Sequence, residues 1–432
     1  MNLSGQAAGL IAIGMLFAFM LASIPVFVAM GLAAFIGFVM GDGFGQALSS
    51  FAQIVWQSSS IFELVAIPLF IFAGLLSEQI SAGRDLFDVA KAWVGRVPNA
   101  LGVATILACG IFAAISGSSI ATAASIGVVS IPLLLGERYS KAQAGGFVAA
   151  GGTLGILIPP SIPFILYGVI TETSIGQLFM AGIAPGIVMM TLFAIWVTFS
   201  RPRIMEERTA PLRERWAATR KGAGILLLPV VIIAAIYTGV FTPEEVAALA
   251  VAYVTVLGLA QRRLTLRKFL DAGFATTRTT AMLFMLIVFG QYFAHFLTFE
   301  QVPQALAQWI SSFSGGPLVT VSILIVAYVV LGVFLESAAM LLISVPIFFP
   351  VAQSIGMHPI VFGVFACIAQ EIAQIHPPIG INLFTIHGIS KIPIWDLAKG
   401  TFPFLVIQIG MLYAVYFFPQ LALWIPQHMM TR

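Results

Sequence analysis

Charge is the scarcest property of this chain. Of its 432 residues only 9% are Asp, Glu, Lys or Arg, against roughly a quarter in ordinary soluble domains, while 60% are apolar. No soluble fold could hide that much apolar surface. Cysteine is nearly absent too: Cys109 and Cys367 both sit inside apolar runs and lack metal-ligand spacing, which excludes a disulfide framework and a zinc site and leaves two small buried hydrophobes. The start has no basic stretch, so it does not read as a cleaved signal peptide. Missing as well are a phosphate-binding loop, a nucleophile elbow, an HExxH pair and paired histidines. The chain is therefore not expected to be an enzyme, and it cannot drive work by its own ATP hydrolysis. The formal net charge of +3 says little by itself, because in a membrane protein the position of each charge decides; nucleic acid is not an expected partner.

What is present in its place is length of apolar sequence. Met1 to Gly41, Val97 to Gly136, Ala142 to Thr171 and Gln301 to Leu335 carry no charge at all, and each matches or exceeds the ~20 apolar residues that cross a bilayer. Strands of a membrane barrel would show short alternating segments, whereas these runs are continuously apolar and punctuated by Gly and Pro. The fold class is all-α and polytopic, with about ten spanning helices and two hairpins expected in the lipid bilayer.

The punctuating residues repeat. With a shift of 218, Pro25 falls on Pro243, Pro159-Pro160 on Pro377-Pro378, Gly182 on Gly400 and Pro185 on Pro403. Slightly smaller shifts bring Gly74 onto Gly290, Trp93 onto Trp309 and Ser130-Ile-Pro132 onto Ser344-Val-Pro346. Matches in the same order along the chain point to duplication. Residues 1–199 form the first copy, 200–222 a basic linker and 223–432 the second copy.

Lys and Arg then orient the copies, since they collect in cytoplasmic loops. Seven lie between Arg201 and Lys221 and five between Arg262 and Arg278, so the helices between these loops leave the cytoplasm and return. Nothing before Arg84 is basic, so the first copy starts outside and the copies are inverted. Helices are expected at 7–23, 26–40 and 51–76. The run 99–136 must then return to the side it came from, because Arg138 and Lys141 follow it; it reads as a re-entrant hairpin with its tip at Ser116-Gly117-Ser118-Ser119. A broken helix follows at 142–172 and a full one at 176–199. The second copy repeats this with helices at 223–241, 244–260 and 277–299, a hairpin at 317–353 with its tip at Glu336-Ser337, a broken helix at 359–389 and a last helix at 401–424. On this threading both termini are periplasmic, and of the 20 basic residues all but Arg432, that is 19, face the cytoplasm.

Inverted repeats with broken helices are the sequence pointer to a secondary transporter with its site near the midplane. Backbone that is not helical is tolerated at membrane depth only inside protein or beside water, because unpaired N–H and C=O groups in lipid cost several kcal/mol. The first tip, with Thr122 one turn along, offers hydroxyls and flexible backbone that suit Na⁺; small residues that let helices approach closely are the plainer reading. At Gly151 to Ser161, Pro159 and Pro160 leave carbonyls near Gly155 to Ile158 open, or merely kink the helix. Glu336 and Glu371 are carboxylates within apolar runs and candidates by default, with a structural carboxyl as the alternative for each. Glu63 reads as interfacial. His376 either binds substrate or a proton or caps carbonyls, and His295 and His387 read as interfacial or packing residues.

Four segments carry a family resemblance: Leu64 to Gly74, Phe112-Ala-Ala-Ile-Ser-Gly-Ser-Ser-Ile-Ala-Thr-Ala-Ala124, Gly152-Thr-Leu-Gly-Ile-Leu-Ile-Pro-Pro-Ser-Ile-Pro163 and His376-Pro-Pro-Ile-Gly-Ile-Asn-Leu-Phe384. Over nearly its whole length the chain resembles the large membrane subunit of TRAP transporters, the tripartite ATP-independent periplasmic carriers. The resemblance implies an elevator-type ion-transporter fold. It also implies a sodium-driven symporter for uptake of a small organic acid across the bacterial inner membrane, with Na⁺ as coupling ion and no other cofactor. Two partners follow from it: a small four-helix membrane subunit and a periplasmic substrate-binding protein that delivers the small carboxylate. Carried onto this chain, the sodium and substrate residues are Ser116, Gly117, Ser118, Ser119, Thr153, Gly155, Pro159 and Pro160 in the first copy. In the second they are Glu336, Ser337, His376, Pro377, Pro378, Gly380 and Asn382. Na⁺ is assigned to Ser116, Ser119, Glu336 and Ser337. Glu336 stands where the family often has Asp, and His376 where it often has Thr. Two rival readings are a stand-alone sodium- or proton-coupled carboxylate carrier of the related superfamily and a membrane enzyme using Glu336 or Glu371 as acid or base.

Overall fold

The computed structural model describes residues 5–200, 210–311, 316–377 and 380–429. The first half runs α1 (Gly5–Leu21), α2 (Val26–Gly41), α3 (Phe44–Ser59), α4 (Ala66–Gln79), α5 (Ala82–Val94), α6 (Ala100–Ser116), α7 (Ser119–Gly136), α8 (Lys141–Thr153), α9 (Ile162–Thr171) and α10 (Ile175–Phe199). The second runs α11 (Leu212–Tyr237), α12 (Pro243–Ala260), α13 (Leu266–Phe299), α14 (Val302–Ser311), α15 (Gly316–Phe334), α16 (Ser337–Ser354), α17 (Pro359–Ile375), α18 (Ile381–Ser390), α19 (Ile394–Phe417) and α20 (Gln420–His428). No strand occurs among the described residues, and nine helices there are long and apolar enough to cross a membrane.

Local chemistry sets the boundaries. Ser140 and Gln143 form a capping box at the start of α8, and Thr242 and Glu245 form one at α12, where Pro243 takes the first helical position. These reciprocal bonds satisfy N–H groups that a helix start leaves open. Pro159 and Pro160 have no N–H to continue the helix, so α8 ends in a 3₁₀ turn at Leu154–Ile156 and α9 restarts beyond Ser161. Among the described residues, helices end at Ser116 and Phe334, and at Thr153 and Ile375 ahead of Pro159 and Pro377.

Other boundaries differ from expectation. Residues 51–76 are not one helix: α3 ends at Ser59, a 3₁₀ turn spans Phe62–Val65, and α4 follows. The Ser60 hydroxyl bonds back to the Trp56 carbonyl, so the polar Ser58-Ser-Ser60 run closes the helix. Its counterpart α13 passes the same place unbroken for 34 residues. The expected last helix at 401–424 is also two, because Pro419 stops α19 at Phe417 and α20 begins afresh. Two short helices, α5 and α14, were not foreseen at all. α11 begins at Leu212, inside the segment read as a linker; the basic residues Arg201, Arg203 and Arg208 lie outside the described residues.

Helix packing shows the duplication. α2 packs on α13 and, reciprocally, α12 packs on α4; α8 packs on α19 and α17 on α10; α5 packs on α11 and α14 on α1. Most relevant to the site, α18 lies on α7 while α9 lies on α16. Each broken helix therefore sends its second segment onto the hairpin of the other half. Such exchange of partners is what a two-fold relation between two copies requires.

Candidate functional site

At the first hairpin tip the chain must turn between α6 and α7 without a spare residue. Gly117 does this in the left-handed region, at φ +59°, which favours glycine. It also lies against the first helix break, since a Cβ there would stand 2.6 Å from the Pro160 carbonyl oxygen. Gly155 makes the same kind of approach from the other side, 2.6 Å from the Ser118 carbonyl oxygen. Tip and break are thus joined backbone to backbone. Around them the hydroxyls form a short network: Ser116 Oγ lies 2.9 Å from Thr122 Oγ1, which donates to the Ser118 carbonyl at 2.8 Å. Ser118 caps α7 by accepting from the Ala121 amide. Ser116, Ser119, Thr153, Pro159 and Pro160 are all buried.

Asn382, in the first turn of α18, brings the second half to this tip. Its side-chain amide donates to Ser119 Oγ at 2.6 Å and to the Ala149 carbonyl at 3.2 Å. Asn382 was expected near the second helix break, and it is there, but its hydrogen bonds go to the first hairpin and to α8.

The second tip is held differently. Ser337 opens α16, and two glutamines one turn apart on α17 reach it. Gln370 donates to the Ser337 carbonyl, and Gln374 donates to Ser337 Oγ at 2.7 Å. A cavity of about 200 Å³ opens beside this contact, lined in part by Glu336, Ser337, Gln374 and Gly380. His376 and Pro377 are half-buried at the break between α17 and α18; Pro378 lies outside the described residues.

A third buried group joins the halves deeper in. Gln408 on α19 donates to Thr153 Oγ1 at 3.0 Å and to Glu371 Oε2 at 3.3 Å. All three residues are fully buried. None of Gln370, Gln374 and Gln408 is among the site residues assigned from the sequence, although Gln374 is one of four polar side chains that mark the run from Glu371 to Asn382. The signal for the first two was present, because two amides four apart inside an apolar helix share one face; Gln408 is alone in its run and gave none.

The set is rich in unused acceptors. Oε1 of Glu336, Gln370, Glu371, Gln374 and Gln408 and Oδ1 of Asn382 are buried without a hydrogen-bond partner among the described residues. Buried polar atoms are rarely left so, and for the two glutamates no exchange of oxygen and nitrogen can help, since a carboxylate has only oxygens. Buried oxygens of this kind fit a hard cation, which takes carboxylate, amide and hydroxyl ligands. The Nδ1 of His376 is likewise buried and unpartnered.

Comparison with known proteins gives a single direction. The family model described as "Tripartite ATP-independent periplasmic transporter, DctM component" matches residues 13–421. The C4-dicarboxylate TRAP transporter large permease protein DctM of Pseudomonas aeruginosa is 36% identical over 383 residues, 88% of this chain and 90% of that protein. The isethionate TRAP transporter permease protein DctMQ of Oleidesulfovibrio alaskensis is 32% identical, over 93% of this chain and 64% of its own greater length. Among solved structures, the YdaH transporter of Alcanivorax borkumensis superimposes with a TM-score of 0.62 at 14% identity, covering 97% of this chain and 98% of that one.

Proposed function

This chain belongs to the tripartite ATP-independent periplasmic transporter family as its DctM component, and from that membership we propose that it imports a small organic acid driven by a sodium gradient. As a large permease of this family it is a transporter and not an enzyme. A periplasmic binding protein delivers the substrate, and a small four-helix membrane subunit completes the assembly. The relatives named for a C4-dicarboxylate and for isethionate both support a small anion as cargo. The likeness to YdaH at 14% identity bears on the fold alone, so it lends nothing to a stand-alone carrier.

The observation that supports sodium coupling is the group of buried oxygens that have no partner among the described residues: Glu336 at the second hairpin tip, Gln370, Glu371, Gln374 and Asn382 on the helices flanking the second break, and Gln408 on α19. Na⁺ binds at Ser116 and Ser119 in one half and at Glu336 and Ser337 in the other, and the breaks at Pro159-Pro160 and Pro377-Pro378 supply helix ends for the anion. Movement is of the elevator kind. The two hairpins and broken helices with α10 and α19 form one packed block, α1 to α4 with α11 to α13 form the scaffold, and amphipathic α5 and α14 connect them. The chain lies in the bacterial inner membrane with both termini outside, which keeps 19 of its 20 basic residues on the cytoplasmic face.

Proteoliposomes holding this chain with its small subunit, supplied with loaded binding protein, test the reading. Uptake should follow an inward sodium gradient and stop when the gradient is collapsed. Uptake driven equally by a pH gradient in sodium-free buffer would overturn sodium coupling.

A further inference from the structure

Away from the hairpins, where α5 meets α11 and the turn from α12 to α13, a polar cleft of about 630 Å³ has no part in the transport reading. Five basic side chains line it, Arg84, Lys221, Arg262, Arg263 and Lys268, against two acidic ones, Asp85 and Asp88. Both acids are engaged. Asp85, only 4% exposed, takes Arg263 and, at 3.0 Å, Lys221; Lys221 also reaches Asp88 at 3.3 Å. Lys268 Nζ donates to the carbonyl oxygens of Gln79 and Arg263, each at 3.0 Å. That leaves the guanidinium groups of Arg84 and Arg262, which are exposed and have no ion pair or side-chain hydrogen bond among the described residues. The cleft is therefore a fixed cationic frame with two uncommitted guanidiniums at its edge.

A second feature adjoins it. Beyond the cleft wall at Thr265 and Lys268, α13 carries Leu266, Leu270 and Phe274, exposed by 75%, 48% and 74%. Positions four apart fall on one helix face, so these three form a short apolar stripe at the charged N-terminal end of α13, and exposed Arg278 takes the next position on that face.

We infer that this cleft binds the phosphate of an anionic phospholipid, with Arg84 and Arg262 on the phosphate oxygens and an acyl chain along Leu266, Leu270 and Phe274. Guanidinium groups match phosphate oxygens two at a time, and basic pockets between membrane helices take anionic headgroups. A free phosphate ion would use the frame but gain nothing from the stripe. Bound there, the lipid ties α5 to the start of α13 and steadies one end of the scaffold.

The full-length chain in detergent, titrated with phosphatidylglycerol or phosphatidylcholine and read by native mass spectrometry, tests this. Phosphatidylglycerol should bind in preference, and more weakly as salt rises. Each basic residue near an anionic lipid contributes about fivefold in affinity. The Arg84→Gln/Arg262→Gln pair should therefore weaken phosphatidylglycerol binding by about 25-fold, while Arg84→Lys/Arg262→Lys should restore part of it, because the ammonium keeps the charge and loses the paired contact. Equal binding of the two lipids, or no effect of the Gln pair, overturns the assignment. Inorganic phosphate displacing the lipid at equal concentration also overturns it, because the site then belongs to the ion. Should the Gln pair fail to fold, the salt dependence and the Lys pair decide, and salt-independent binding counts against the proposal.

Discussion

Asn382 and Ser119, 263 residues apart in sequence, share a hydrogen bond of 2.6 Å that ties the second helix break to the first hairpin tip. The same amide reaches the Ala149 carbonyl on α8, so one side chain holds three elements from both halves of the duplication. Asn382→Ala leaves two buried acceptors with one donor fewer, at a cost of about 1–3 kcal/mol for groups that lose a partner in the interior. Uptake in reconstituted liposomes should fall by about tenfold or more while the amount of protein in the membrane stays near that of the parent. Undiminished uptake would show that the contact is dispensable.

Gly155 leads to a steric prediction. A methyl group at Gly155 would enter the backbone of Ser118 and Ser119, with nothing but main chain to give way. Overpacking of this kind costs about 1–3 kcal/mol, so Gly155→Ala should lower the melting temperature and abolish transport together. Gly14→Ala is the control, since beyond its own stretch of helix backbone no described atom lies within 4 Å of the added carbon; it should be neutral or mildly stabilising, as Ala is the better helix former. Equal behaviour of the two variants would refute the close approach of tip and break.

Sodium dependence gives the test of ligand assignment. Ser119→Ala removes a hydroxyl at the first tip and Glu336→Ala a half-buried carboxylate at the second, whose Oε1 is buried with no partner among the described residues. Each should raise the sodium concentration needed for half-maximal uptake without lowering expression. Unchanged sodium activation in both would remove the tips from the ion sites.

Prolines and glycines made most of the fold legible. Breaks at Pro159-Pro160 and at Gly117 are set by residues that forbid or end a helix locally, and such residues can be read in sequence; Glu336 is no helix breaker and was legible as a lone carboxylate inside an apolar run. The break between α3 and α4 was missed because serines decide it there, and serine is compatible with either outcome; α13 runs straight through the equivalent place. α5 and α14 are short and amphipathic, so they carry no long apolar run to mark them in the sequence. Within the site, residues flanking a break were found, while Gln408 was not: what singles it out is a bond across space to Thr153 and Glu371, which nothing in its neighbourhood along the chain announces.

That bond permits a prediction about how the halves are held. Among the described residues Gln408 is the one side-chain donor to Glu371 Oε2, and it also serves Thr153 Oγ1. In Gln408→Leu the carboxyl group keeps its burial and loses its partner, which costs about 1–3 kcal/mol, so the melting temperature in detergent should fall. Glu371→Leu removes the group that needs the partner. If the two residues act through each other, the double variant Gln408→Leu/Glu371→Leu should be less destabilised than the sum of the single variants, by about 0.5–3 kcal/mol, as expected for residues in one network. Simple additivity would mean that the contact carries no coupling and that Glu371 is stabilised by burial among apolar neighbours alone. Uptake separates structure from transport: a double variant that regains stability without regaining activity places Glu371 in the working cycle, whereas recovery of both confines it to holding α17 against α19.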